Sequence, residues 1–151
     1  MSVVHDFARA FNRGDIGALL DCFNETATYD DIFYGRYAGP VGLRTLFERM
    51  FRDGTDYTWI FDVVLGNQRH AAVEWRFSYT VTQAVPRSAG RRIHLAGMSL
   101  FELQNGKIAA YREYVDTGLA LLQLGFAPQS LAAALRRRLP PGSESVGRPM
   151  E

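Results

Sequence analysis

The stretch MSLFELQNGKIAAYREYVD, residues 98–116, reads as a β-hairpin with a carboxylate built into its second strand. Asn105-Gly106 is the turn. Both residue types tolerate positive φ at little cost, and such a pair between β-branched, aromatic and aliphatic runs is a strong short-range hairpin signal. Side chains alternate faces along a strand. Tyr111, Glu113 and Val115 therefore share one face, and Arg112, Tyr114 and Asp116 share the other. The cross-strand register stays open, because a type I turn with a glycine bulge would shift the pairing by one.

Upstream of the hairpin the same alternation marks strands over 57–65, 71–81 and 93–103. With 108–115 they form a meander of at least four long antiparallel strands. Earlier still the period is helical. Val3, Val4, Phe7, Ala8 and Phe11 make one amphipathic stripe, which stops near Gly14. Asp15 is placed to cap a second short helix, whose apolar side is Ile16, Leu19, Leu20 and Phe23. A short strand at 25–30 follows, then a loop through Asp31, Ile32, Phe33, Tyr34 and Gly35. Gly39-Pro40 opens the cleanest stripe of all, Leu43, Leu46, Phe47, Met50 and Phe51, closed by Asp53-Gly54. Helices first and strands later point to an α+β fold with a curved sheet wrapped against helices. Two short helices, 119–124 and 129–139, come last, and Arg136, Arg137 and Arg138 there complement a helix dipole. The tail from Pro140 is rich in Pro, Gly and Ser and is expected to be disordered. One domain, 1–139, and a tail, 140–151, result.

Composition narrows the function classes. At 151 residues the chain suits a single core or pocket, and 47% hydrophobic residues are enough to build it without metal or disulfide. A net charge of +1 gives no field that would favour nucleic acid. The single cysteine, Cys22, excludes an intramolecular disulfide and reads as a small buried hydrophobe. No apolar run approaches a membrane span, and the N-terminus is amphipathic rather than a secretion signal. A cytoplasmic protein is expected. Neither metal-ligand spacing nor a Gly-rich phosphate loop occurs, so no metal or cofactor is expected.

ETATYDDIFYG, GPVGLRTLFERMF, VEWRFSYTV and LFELQNGKIAAYREYVD together resemble the SnoaL-like branch of the nuclear-transport-factor-2-like superfamily, over roughly residues 3–126. That superfamily also contains ketosteroid isomerase and limonene-1,2-epoxide hydrolase. The resemblance implies a cone-shaped α+β barrel, its mostly antiparallel sheet closing over the N-terminal helices around a deep apolar cavity. It also implies a homodimer through the outer sheet face. For the reaction it says little, since one such fold hosts many chemistries.

The candidate chemistry lies in two acids and their neighbours. Asp31 follows the first strand where ketosteroid isomerases resemble this chain around their base. Flanked by Tyr29, Ile32, Phe33 and Tyr34, its carboxylate would be desolvated toward a useful base. The plain alternative is a solvated turn aspartate. In the epoxide hydrolase a Tyr stands at the place of Tyr29, and an aspartate that acts on water stands at the place of Glu113. If Tyr111 and Val115 face the cavity, Glu113 lies on an apolar wall, where an unpartnered charge is costly. The alternative is an exposed strand glutamate paired with Arg112.

Arg76 is the expected partner of these acids, by resemblance to the hydrolase. Its strand sets Glu74, Arg76, Ser78 and Thr80 against Trp75, Phe77, Tyr79 and Val81. Either the polar set faces solvent, or it lines a wet pocket while the aromatic set makes a dimer contact. Ser78 stands where the hydrolase carries its second aspartate, so the acid that protonates an epoxide is missing. Phe7 and a position close to Gly97 stand where ketosteroid isomerase keeps its oxyanion donors, which weighs against that route. Ser78, Tyr111, Met98 and His94 complete the expected substrate-binding set. His5 and His70 read as surface residues; Tyr57, Trp59 and Phe61 share a face and read as pocket wall or plain core, with core or dimer contact favoured.

The expected function is a cofactor-free acid–base enzyme of cyclase, isomerase or hydrolase type, acting on a small hydrophobic or polyketide-like molecule. Two alternatives stand beside it: a limonene-type epoxide hydrolase with an altered acid, and a non-catalytic ligand-binding or dimerisation domain of the same fold.

Overall fold

A computed structural model describes residues 2–143. Of the expected tail, residues 144–151 lie outside the described residues. Helix α1 (Ser2–Asn12) buries Val3, Val4, Phe7, Ala8 and Phe11, the stripe read from the sequence, and Ala10 beside them. Helix α2 (Ile16–Asp21) starts where Asp15 accepts a hydrogen bond from the Ala18 amide at 2.9 Å. Strands β1 (Phe23–Asp31) and β2 (Gly35–Ala38) form a small hairpin ahead of α3 (Gly39–Asp53). The sequence reading left β2 as loop and began β1 two residues late, since four residues give too short a pattern to show alternation. Helix α3 buries Leu43, Leu46, Phe47 and Met50. Then come β3 (Gly54–Gly66), β4 (His70–Val81), β5 (Arg92–Gln104) and β6 (Lys107–Val115), followed by α4 (Thr117–Gln123) and α5 (Pro128–Arg136).

The six strands form one sheet in the order β2-β1-β6-β5-β4-β3. Every neighbouring pair is antiparallel except β1 with β6, which is parallel. The open register of the β5–β6 hairpin is now settled. Asn105 and Gly106 both have positive φ, 51° and 74°, and Gln104 pairs directly with Lys107, so the loop has two residues. The bulge lies one step further on: Glu102 faces Ala110 while Leu103 faces Ile108, leaving Ala109 over. That extra residue brings both Ile108 and Tyr111 to the core, although one is even-numbered and the other odd.

Register fixes which residues lie side by side on the inner face. Trp59, Phe77 and Leu95 form one row; Phe61, Trp75, Gly97 and Val115 the next. Val73, Ser99 and Glu113 form a third, and Ala71, Phe101, Tyr111 and Tyr29 a fourth. Against these rows pack α1 and α3. Phe7, fully buried, sits among Phe23, Trp59 and Phe101 with ring centroids 5.2–5.8 Å apart, three edge-on contacts. The β4 alternation is thereby decided: the aromatic set faces the core, and Glu74 and Arg76 are exposed.

Candidate active site

Where the rows meet the end of β1 the aromatic packing leaves a hollow. Tyr29, Asp31, Ile32, Tyr57, Trp59, Trp75, Phe77 and Glu113 are among its walls. With its mouth included it holds about 510 Å³ of empty space, of which about 50 Å³ is wide enough for the centre of a water molecule. The latter is room for a few waters or a slender molecule.

Asp31 ends β1 and is buried, at 9% exposure. The chain turns sharply after it, and the turn is built on its own side chain. Oδ1 accepts hydrogen bonds from the amides of Phe33 and Tyr34, both at 2.7 Å. Burial raises the Asp31 pKa, opposed by these two amides and by the charges of Arg138 and Arg49. Both guanidiniums sit near this turn, Arg138 over the Phe33 ring and Arg49 over the Tyr34 ring, at 5.9 and 5.1 Å.

Glu113 reaches the same turn from β6. Its Oε1 accepts from the Ile32 amide at 3.1 Å, and its Oε2 accepts from the Tyr111 hydroxyl at 2.7 Å. Half-buried overall, the side chain faces the hollow rather than bulk solvent. Burial first, and the charge of Asp31 second, push its pKa up to about 7; the bonds from Tyr111 and Ile32 hold it down. Two carboxylates from strands some eighty residues apart in the chain thus face one hollow, and the charge of Asp31 raises the proton affinity of Glu113.

Behind them the wall is polar in a few places only. Tyr111 Oη lies 2.8 Å from Ser99 Oγ, which accepts from the Trp75 indole at 2.7 Å. Tyr29 stacks on Tyr111 with centroids 4.1 Å apart. Burial, then the Glu113 charge, drives both phenols well above their ordinary range, so both stay neutral donors. Tyr29 Oη and Trp59 Nε1 have no hydrogen-bond partner among the described residues, an unusual state for buried donors.

The remaining expected site residues fall elsewhere. Arg76 does not meet the acids. It is exposed on the outer sheet face, bound through Nε and Nη2 to Asp62 at 2.8 and 2.6 Å. Ser78 lies on that face too and accepts from Arg92 at 2.7 Å. His94 is exposed there, its backbone bracketed by the Gln123 side chain. Met98, 51% exposed, points the same way. The reason is parity: residues 76, 78, 94, 96 and 98 occupy the even, outward positions of β4 and β5. Of the two alternatives for the polar set of β4 the outward-facing one holds, so the expectation that Arg76 and Ser78 line the pocket is overturned.

Ser99 and Trp75 were not singled out as site residues from the sequence, and Trp59 was read as core or dimer contact ahead of pocket wall. Their odd-numbered positions on the inner face were the available signal, masked because isolated Ser and Trp residues read as ordinary core. Cys22 is buried as expected, its thiol raised to about 11 by burial. Among the described residues no three His, Cys, Asp or Glu side chains group closely enough to hold a metal ion. No helix among them is long and apolar enough to cross a membrane.

Comparison with known proteins agrees with this architecture. A family model described as the SnoaL-like domain matches residues 4–111. Among solved structures, a candidate polyketide cyclase from Xanthomonas campestris pv. campestris is 22% identical. Its TM-score is 0.70, over 82% of this chain and 95% of that one. A candidate polyketide cyclase from Pseudomonas putida KT2440 is 25% identical (TM-score 0.69, 80% of this chain, 94% of that one). An LEH-like epoxide hydrolase from M. tuberculosis is 17% identical (TM-score 0.68, 90% and 94%). The search of curated proteins finds no match.

Proposed function

Since the chain belongs to the SnoaL-like domain family, we propose that it is a cofactor-free acid–base enzyme in which Asp31 and Glu113 exchange protons with a small, slender, largely apolar carbonyl compound. The observation that carries this reading is the pair of carboxylates facing one aromatic hollow in unequal surroundings. Asp31 accepts two backbone amides on one oxygen, which favours its charged form. Glu113, with a pKa near 7, holds a proton for part of the time at neutral pH.

That division of labour suits enolisation. Asp31 takes a proton from the carbon beside the carbonyl, the C–H electron pair moves into the new C=C bond, and Glu113 gives its proton to the carbonyl oxygen. Return of a proton to a different carbon yields an isomer. Attack of the enol on a second carbonyl of the same molecule closes a ring, as in an aldol cyclisation. Tyr29 Oη and Trp59 Nε1, without partners among the described residues, offer hydrogen bonds to an oxygen-bearing ligand. Epoxide opening, suggested by the M. tuberculosis relative, would here have to run on the two acids without Arg76.

Hydrogen–deuterium exchange beside the carbonyl of small cyclic and aromatic ketones, followed by proton NMR in D2O, tests the reading directly. The wild type should catalyse exchange and Glu113→Gln and Asp31→Asn should not. Unchanged exchange in both variants would refute it. The slenderness of the hollow favours one other reading, a domain that binds a ligand without turnover. Thermal stabilisation by such ketones with no exchange catalysis would select it. A homodimer is also part of the proposal. Ile60, Met98 and Tyr114 leave 43, 51 and 66% of their surface exposed on the outer sheet face, a suitable contact between two copies. Sedimentation of the wild type against a Met98→Glu/Tyr114→Glu variant checks it.

A further inference from the structure

The hydrogen-bond chain behind Glu113 has a direction, and a single residue type sets it. Tryptophan's indole N–H can only donate. Trp75 Nε1 therefore donates to Ser99 Oγ, at 2.7 Å. The Ser99 hydroxyl, already an acceptor there, has Tyr111 Oη at 2.8 Å as the place for its own hydrogen. Tyr111, accepting from Ser99, turns its hydrogen to Glu113 Oε2 at 2.7 Å. All four side chains project to the inner face, from β4, β5 and β6. Trp75 reaches Ser99 because position 97 is glycine. A Cβ there would lie 2.7 Å from the indole ring and 2.5 Å from the Tyr114 carbonyl.

We propose that Ser99, oriented by Trp75, is a positioning residue that locks Tyr111 as a donor to Glu113 and so confines any proton taken up by Glu113 to lone pairs turned toward the hollow. The geometry supports this from both ends of the carboxylate. Oε2 faces the Tyr111 donor and Oε1 faces the Ile32 amide. A proton placed on Oε2 toward Tyr111 would force that hydroxyl to reverse. The Ser99 hydrogen would then be left without an acceptor in a buried site, a costly arrangement. What remains is the side of each oxygen free of those donors, on a group that lines the cavity. The chain thus holds the proton affinity of Glu113 below what burial alone would give and directs its proton at a ligand.

The proposal rests on Glu113 being the proton-exchanging group of the site. Other groups that face it are Asp31 and Tyr29 from β1, Tyr57 from β3 and Tyr79 from β4; Arg49 and Arg138 act chiefly on Asp31. The test is a titration of the full chain labelled with carbon-13 at glutamate side-chain carboxyls. The Glu113 signal is assigned by its loss in Glu113→Gln. Ser99→Ala should move the Glu113 midpoint upward, since the ionised form loses support. Ser99→Thr, which keeps the hydroxyl, should leave it in place. Trp75→Phe should raise it by less than Ser99→Ala. A midpoint that stays put or falls in Ser99→Ala overturns the proposal. If that variant does not fold, an unmoved midpoint in Trp75→Phe overturns it equally. The titration needs no substrate. Glu113→Gln that retains exchange catalysis would remove Glu113 from the proton-exchanging role while leaving the midpoint result to stand by itself.

Discussion

On the outer face of the sheet Asp62 meets Arg76 in water; on the inner face Glu113 meets Asp31 among aromatic rings. The outer pair is a forked ion pair, and its hydrogen bonds hold the Asp62 carboxyl below the usual carboxylate range. The inner pair is like-charged and enclosed, and Glu113 is pushed up to about 7. The sequence reading set Arg76 beside Asp31 and Glu113 as their partner. Placement separates it from them and pairs it with Asp62, where the charge is screened by bulk water, while a charge facing an apolar hollow changes its proton affinity.

Four experiments press on this contrast. The largest effect is on exchange catalysis. Glu113→Gln or Asp31→Asn should lower the rate by about 10²–10⁴-fold, the usual weight of a general acid or base. Arg76→Ala should leave it within roughly twofold, the ordinary scatter of a residue that touches nothing reactive. A rate loss in Arg76→Ala as large as in Glu113→Gln would erase the distinction between the faces.

Next comes packing. Phe7→Ala removes a fully buried ring that packs edge-on against Phe23, Trp59 and Phe101, and should cost about 3–5 kcal/mol by denaturant unfolding. Met98→Ala on the outer face should change the stability of the monomer by about 0.5 kcal/mol or less.

Third is pH. Glu113 has a folded pKa of about 7, above its ordinary 4.5. Between those values the folded chain holds a proton that the unfolded chain has released, so its contribution to stability is full below pH 4.5 and is lost as pH rises toward 7. The melting temperature of Glu113→Gln should therefore fall less than that of the wild type over this window. Parallel curves would show that Glu113 is not perturbed. The smallest effect belongs to Asp62→Asn, whose exposed pair should barely shift the melting temperature and should lose even that small shift at high salt.

Most of the architecture was legible without coordinates, because it is periodic. The α1 and α3 stripes, the Asp15 cap and the Asn105-Gly106 turn are short-range signals, each decided within a few residues of chain. The short strand β2 escaped because four residues hold too little pattern. Of the site, the parity of Tyr111 and Glu113 could be read, and the turn at Asp31 could be suspected. The side of the sheet on which Arg76 would lie could not be read, since alternation says that two sets of residues face apart and never which set faces in.

Local chemistry along the chain settles where strands and helices begin and end and which residues travel together on a face. It cannot bring Ile32 to Glu113, or Trp75 to Ser99, because those contacts join segments dozens of residues apart. Packing made that choice: the aromatic faces of β3 and β4 had to cover α1, and in doing so they turned Arg76 to solvent and closed an apolar hollow around two acids. The raised proton affinity of Glu113 belongs to that enclosure, and no spacing of letters encodes it.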